Sequence, residues 1–199
     1  MKAVGVIEGR MVPLDRADVD TDQIMPKQHL KRIERTGFGE FVFADWRADP
    51  AFVLNDARYD GANVLVAGPN FGSGSSREHA PWGLQQYGFD AVVAPSFADI
   101  FRNNCAKIGL LTVELPAGVC KRLAALATDD PASGVRVDLV QQEVVTALGV
   151  ERFEIDPFVK HLLVEGLDDI GLTLRHADAI TRFEASRPVW LPTTRAVST

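Results

Sequence analysis

Residues Asn63 to Tyr87 read NVLVAGPNFGSGSSREHAPWGLQQY, and the order of residue types in this stretch decides the fold class. Asn63-Val-Leu-Val-Ala67 is a short apolar, β-branched run bounded by Gly61 and by Gly68-Pro69, the pattern of a buried strand. From Glu78 to Tyr87 the apolar residues Ala80, Leu84 and Tyr87 recur at helical spacing. Between the two lies NFGSGSSR, rich in glycine and serine, so the local reading is strand, loop, helix. Ser75-Ser-Arg-Glu78 also fits a capping box, in which the serine oxygen accepts from a first-turn amide and the glutamate reaches back.

One serine is enough for a cap. The second hydroxyl, the Arg77 cation and the unpaired N–H groups of the first turn then stand at the positive end of a helix dipole, where a carboxylate or phosphate binds. Gly72 and Gly74 allow close backbone approach or positive φ at an entropic cost that a plain connection avoids. The residues alone fit either a well-capped helix or an anion site. A Walker A loop is excluded, because no lysine stands between Asn63 and Ala106. The dinucleotide fingerprint begins at Gly72-Ser-Gly74 but puts Arg77 where the third glycine must let helix and strand pack. A nucleophile elbow is absent, since Ser73 and Arg77 flank Ser75 at the glycine positions.

Working outward, Ala91–Ala94 and Leu110–Leu115 read as further strands and 98–106 and 119–127 as helices. Alternating strands and helices predict an α/β fold with a partly parallel sheet covered by helices. Val4–Ile7 and Val12–Leu14 read as two short N-terminal strands, and 28–35 and 40–46 carry helical or mixed spacing. Val135–Leu139 with Val144–Leu148 predicts a hairpin, and Asp156-Pro157 an N-cap and first residue of a helix reaching Glu165. Asp168–Arg187 reads as helical, before an irregular tail. The expected organisation is one domain over 1–199, with 150–199 a C-terminal helical extension and tail.

Composition narrows the function classes. The chain has 199 residues, 46% of them hydrophobic, and a net charge of −6, which disfavours a nucleic-acid surface. Its apolar runs fall far short of the roughly 18 residues of a membrane helix, and Glu8 and Arg10 interrupt the N-terminus as no signal peptide would. The expected location is the cytoplasm, with no membrane partner. Two cysteines, Cys105 and Cys120, lack C-x-x-C spacing and read as reduced, packed thiols. His161 and His176 lack metal-ligand spacing and read as surface residues, so no metal site is expected.

Gly68-Pro-Asn-Phe-Gly-Ser-Gly-Ser-Ser-Arg-Glu-His-Ala80 resembles the signature of the mobile swivel domain of the aconitase superfamily. Asp18-Val-Asp-Thr-Asp-Gln-Ile24, Ser96–Asn104 leading into Gly109-Leu-Leu111, and Glu165–Ile170 are similar to the same family in the same order. Together they cover nearly the full length, and the chain's size matches the family of 3-isopropylmalate dehydratase small subunits. The resemblance implies a swivelling β/β/α domain and a hydro-lyase that isomerises 2-isopropylmalate to 3-isopropylmalate in leucine biosynthesis. A [4Fe–4S] cluster is also implied, and two cysteines cannot hold one. The expected partner is therefore a separate, cluster-bearing large subunit, with this chain closing the active site over a small carboxylate substrate. A homoaconitase or methylcitrate-type hydro-lyase subunit is the nearest alternative; a carboxylate-binding regulatory module without chemistry is the other.

The match also implies roles. Ser75 corresponds to the base that removes a proton α to a carboxylate, acting as an alkoxide favoured by the helix N-terminus and Arg77. Ser76 and Arg77 would bind a substrate carboxylate, the arginine bidentately. Asp20 and Asp22 match a D-x-D turn at the edge of the site, orienting the base or an arginine; ordinary cap chemistry explains them as well. His29-Leu-Lys-Arg32 falls on the segment that discriminates the substrate's substituent, where Leu30 suits an isopropyl group and Arg32 either binds a carboxylate or faces water. Glu78 and His79, adjacent on a helix, share no face and read as structural.

Overall fold

The computed structural model describes residues 1–31, 35–188 and 190–191. It divides into two compact units, 1–167 and 168–199. In the first, strand β1 (Val6–Leu14) leads into the short helix α1 (Thr21–Ile24), 3-10 turns and α2 (Ala44–Arg47). Strands β2 (Val64–Ala67), β3 (Ala91–Ala94) and β4 (Leu111–Glu114) then alternate with helices α3 (His79–Tyr87), α4 (Asp99–Ile108) and α5 (Ala117–Asp129). Strands β5 (Gly134–Asp138), β6 (Glu143–Thr146) and β7 (Gly149–Arg152) and helix α6 (Pro157–Glu165) complete the unit.

Among the described residues the seven strands form one sheet, in the order β4-β3-β2-β1-β5-β6-β7. The predicted parallel part is β1 to β4, and the predicted hairpin is the antiparallel pair β5–β6, to which β7 adds a further antiparallel strand. Every residue of β2 and β3 is buried, which explains their continuous apolar runs: helices cover both faces. Successive side chains on β2 point to opposite faces. Leu65 and Ala67 enter a core with Leu84 of α3 and Phe101 of α4, while Val64 and Val66 enter a second core with Leu123 of α5 and Leu163 of α6.

One expectation is corrected at the N-terminus. The two strands read at Val4–Ile7 and Val12–Leu14 are a single nine-residue strand, β1, whose first half pairs antiparallel with β5 and whose second half pairs parallel with β2. Gly9, which lies between the two stretches, continues the ladder opposite Val135. A side chain there would press into Asn63, whose amide nitrogen would lie 2.9 Å from the added carbon. Glycine marks a close approach at this point, not a break.

Helix α6 begins as the sequence predicts: Asp156 caps it, accepting from the N–H groups of Phe158 and Val159, and Pro157 follows. Among its described residues the second unit holds α7 (Asp169–Leu174) and α8 (Ala177–Ser186), and neither helix contains a buried residue. Among the described residues no helix is long and apolar enough to cross a membrane.

Candidate active site

Three segments meet where the parallel strands β1, β2 and β3 end. The chain leaves β1 into residues 15–20, leaves β2 into the loop 68–78, and leaves β3 into residues 95–98. The crevice at the carboxyl ends of parallel strands is where open α/β sheets bind ligands. Phe71 forms a bridge with Phe97, its N–H donating to the Ser96 carbonyl and its carbonyl accepting from Ala98. Asp20 bridges Ser73 on the other side, and Gly72 N–H donates to the Val19 carbonyl at 2.7 Å. The loop is thus held between its two neighbours by backbone hydrogen bonds.

Its glycines have distinct geometric reasons. Gly72 has φ +79°, and an added Cβ would sit 2.6 Å from both Cβ and Cδ1 of the buried Phe101. Gly74 has φ +90° but meets Asp20 and Thr21 only at 3.5 Å, so backbone conformation alone demands it. Asn70 and Asp18 also adopt the left-handed region, which their residue types tolerate, and Asn70 Nδ2 donates to Asp18 Oδ1 at 2.8 Å.

The capping expectation is corrected. Helix α3 starts at His79, its cap position Glu78 makes no side-chain hydrogen bond to it, and neither Ser75 nor Ser76 caps it. Instead Ser75 Oγ accepts from Arg77 Nε at 2.9 Å. Binding of Ser73 to Thr21 draws this part of the loop toward α1 and out of cap position, with Thr21 N–H donating to the Ser73 carbonyl and Thr21 Oγ1 to the Ser75 carbonyl, both at 2.9 Å. A capping box does form, at α1: Asp20 Oδ1 accepts from Gln23 N–H, and Gln23 Oε1 accepts from Asp20 N–H. Among the described residues, no backbone carbonyl accepts from the N–H groups of residues 75–78.

Arg77 joins the two segments. Its Nη1 and Nη2 donate to the two carboxylate oxygens of Asp22, and its Nε donates to Ser75. The Arg77 side chain is 17% exposed and that of Asp22 49%. Ser75 and Ser76 are exposed. The structure therefore brings Asp20, Asp22, Gly72, Gly74, Ser75 and Arg77 together. Leu30 lies on the 3-10 turn Lys27–Lys31, partly buried against the first core. Arg32 lies outside the described residues. His79 packs between Phe38 and Trp82, with ring centroids at 5.1 and 5.0 Å, and Glu78 is exposed.

Sequence reasoning missed Thr21, the buried hydroxyl that fixes the position of Ser75. Its signal was a small polar residue between two acidic ones, read only as turn chemistry.

Cluster ligation does not fit these residues. Both cysteines are buried, and burial pushes the Cys105 thiol well up and the Cys120 thiol up to about 11, whereas cluster ligation needs thiolates. Among the described residues, no group of three or more His, Cys, Asp or Glu side chains could hold a metal ion.

Comparison with known proteins gives this geometry a family. The aconitase C-terminal domain family matches residues 1–118, and the family of C-terminal domains of the 3-isopropylmalate dehydratase small subunit matches 169–196. A 3-isopropylmalate dehydratase small subunit of Parafrankia sp. (strain EAN1pec) is 60% identical over 98% of this chain and 100% of its own length. That of Rubrobacter xylanophilus is 59% identical over 96% of this chain and 98% of its own length. A crystal structure of 3-isopropylmalate dehydratase (leuD) from Methanocaldococcus jannaschii superposes with a TM-score of 0.62 at 27% identity, covering 90% of this chain and 99% of that one. The matched families, the near-complete overlap with these relatives and the mixed sheet together show that this chain belongs to the 3-isopropylmalate dehydratase small-subunit family, with the α/β fold of the aconitase C-terminal domain.

Proposed function

We propose that this chain completes the active site of a 3-isopropylmalate dehydratase, supplying the base for isomerisation of 2-isopropylmalate to 3-isopropylmalate by dehydration and rehydration. The observation that carries the reading is the Ser75–Arg77 contact beside the N-terminus of α3. A serine oxygen becomes a competent base only where its ionised form is stabilised, and a guanidinium N–H at 2.9 Å supplies that stabilisation.

In this reading Ser75 Oγ takes the proton from the carbon next to a substrate carboxylate. The electron pair left behind forms the alkene as the C–O bond breaks and the hydroxyl departs as hydroxide. Hydroxide then adds back to the carbon that lost the proton, and Ser75 returns its proton to the carbon that lost the hydroxyl. Ser76 and its N–H group, with Arg77, hold the substrate carboxylate. Asp20 and Thr21 fix the loop from the α1 side, Gly72 lets it approach Phe101 so closely, and Gly74 supplies the left-handed turn. Leu30 faces the substrate's isopropyl group. The partner is a large subunit that carries the [4Fe–4S] cluster, since the residues here do not fit one. The pair works in the cytoplasm.

The test is coexpression with the large subunit and an assay of isopropylmalate interconversion. Ser75→Ala is expected to lower turnover about 10²–10⁴-fold, the usual contribution of a positioned base. Full turnover by that variant would end the assignment of Ser75. Faster turnover of homocitrate or methylcitrate would replace the substrate.

A further inference from the structure

Arg77 has five N–H donors, and the arrangement of those already engaged limits what else it can bind. Its terminal pair, on Nη1 and Nη2, meets both oxygens of Asp22, and the Nε member of its other two-donor edge meets Ser75. Neither edge is open to a second carboxylate in the bidentate mode that makes arginine selective for such groups. We infer that Asp22 is a resident carboxylate that fills the substrate-binding face of Arg77, and that a substrate carboxylate reaches the arginine by displacing it. The inference rests on the reading of Arg77 as a substrate ligand and adds how that ligand is kept between turnovers.

Asp22 is suited to leave. It is the more exposed partner, at 49% against 17% for Arg77. It carries no capping duty, because the box that starts α1 is made by Asp20 and Gln23. Its side chain can swing into solvent while α1 keeps its hydrogen bonds to the loop through Thr21. Exchange of one carboxylate for another also keeps the partly buried guanidinium paired throughout, avoiding the cost of an uncompensated charge. The occupied state weakens apparent substrate binding in proportion to its population, and the return of Asp22 assists product release.

The test is a comparison of malonate binding to the isolated full-length chain and to its Asp22→Asn variant, followed through the Arg77 Nε–H resonance in 15N NMR spectra. Asp22→Asn is expected to bind malonate about two- to fivefold more tightly, the equivalent of about 0.4–1 kcal/mol for a half-exposed ion pair. Asp22→Glu, which keeps the competitor, is expected to bind as the wild-type chain does. Equal or weaker binding by Asp22→Asn, with its thermal unfolding unchanged, would overturn the inference and make Asp22 a residue that positions Arg77. The same holds if Asp22→Glu binds as tightly as Asp22→Asn. Because malonate needs neither the large subunit nor the native substrate, failure of the isopropylmalate assay leaves this outcome separately readable.

Discussion

Gly72→Ala tests how the loop is held. The substitution carries two costs that the structure separates. The residue sits at φ +79°, and placing an L side chain in that region costs about 1–2 kcal/mol. The added methyl would also lie 2.6 Å from Cβ and Cδ1 of Phe101, a buried ring set edge-on to Phe71 at 5.4 Å and stacked on Phe97 at 6.4 Å. The root of a side chain wedged between two rings cannot rotate away, so overpacking adds about 1–3 kcal/mol. The sum is about 2–5 kcal/mol, which for a chain of this size lowers the melting temperature by roughly 4–20 °C. Gly74→Ala is the internal control: it has the same backbone cost at φ +90°, but its methyl would meet Asp20 and Thr21 at an ordinary 3.5 Å. Its expected loss is about 1–2 kcal/mol. Urea unfolding of both variants, with the slope checked for constancy, gives the comparison. A Gly74→Ala loss as large as that of Gly72→Ala would refute the claim that Phe101 limits the approach of the loop.

Thr21→Val removes the buried hydroxyl that donates to the Ser75 carbonyl, leaving that acceptor to water. It is expected to cost about 1–2 kcal/mol in urea unfolding and to lower turnover of the assembled enzyme without a matching change in KM. Asp156→Ala removes the cap of α6, far from the loop in sequence, and is expected to cost about 1 kcal/mol with turnover unchanged. The Asp138 carboxylate is held below the usual range by the Gln141 N–H and by Arg136, so its contribution is present above about pH 4 and is lost as pH falls through the depressed value. Acid titration of stability is expected to be shallower in Asp138→Asn, and an unchanged slope would count against that linkage. Both cysteines are buried with raised pKa values, so neither is expected to react with iodoacetamide at pH 8 until the chain unfolds, as peptide mapping will report.

Much of the fold was legible where one residue type had one physical meaning. Buried parallel strands admit only apolar side chains, so 64–67 and 91–94 stood out as unbroken runs. Asp156-Pro157 was readable because cap and first turn are adjacent in sequence. Meaning was lost where a distant partner chose between readings. Val4–Ile7 and Val12–Leu14 read as two strands, and only pairing with the distant β5 and β2 shows that they are one. Ser75 and Glu78 had capping spacing, yet Thr21 holds the Ser75 carbonyl and Arg77 takes its hydroxyl. Strand β7 is four residues long and mostly exposed, with no alternation to betray it. The motif itself grouped Ser75 with Arg77, whereas 55 residues separate Asp22 from Arg77, and only the resemblance, which set Asp20 and Asp22 to orient the base or an arginine, pointed to that pair.

Ser75 is exposed, and that exposure limits its basicity. Its carbonyl is fixed by Thr21 and its hydroxyl by Arg77, so the group is well positioned before any substrate arrives. Position alone does not make it a base. Two unit charges 4 Å apart interact by about 1 kcal/mol in bulk water and by about 4 kcal/mol at the effective dielectric typical of pairs within a protein. With Ser75 and Ser76 exposed, the proposed alkoxide lies near the weak end of that range. Covering the loop moves the same contact toward the strong end without moving an atom of it, and also excludes the water that would protonate the serine. The loop geometry is thus that of one wall of a site, and the proposed chemistry requires the second wall that a large subunit would provide.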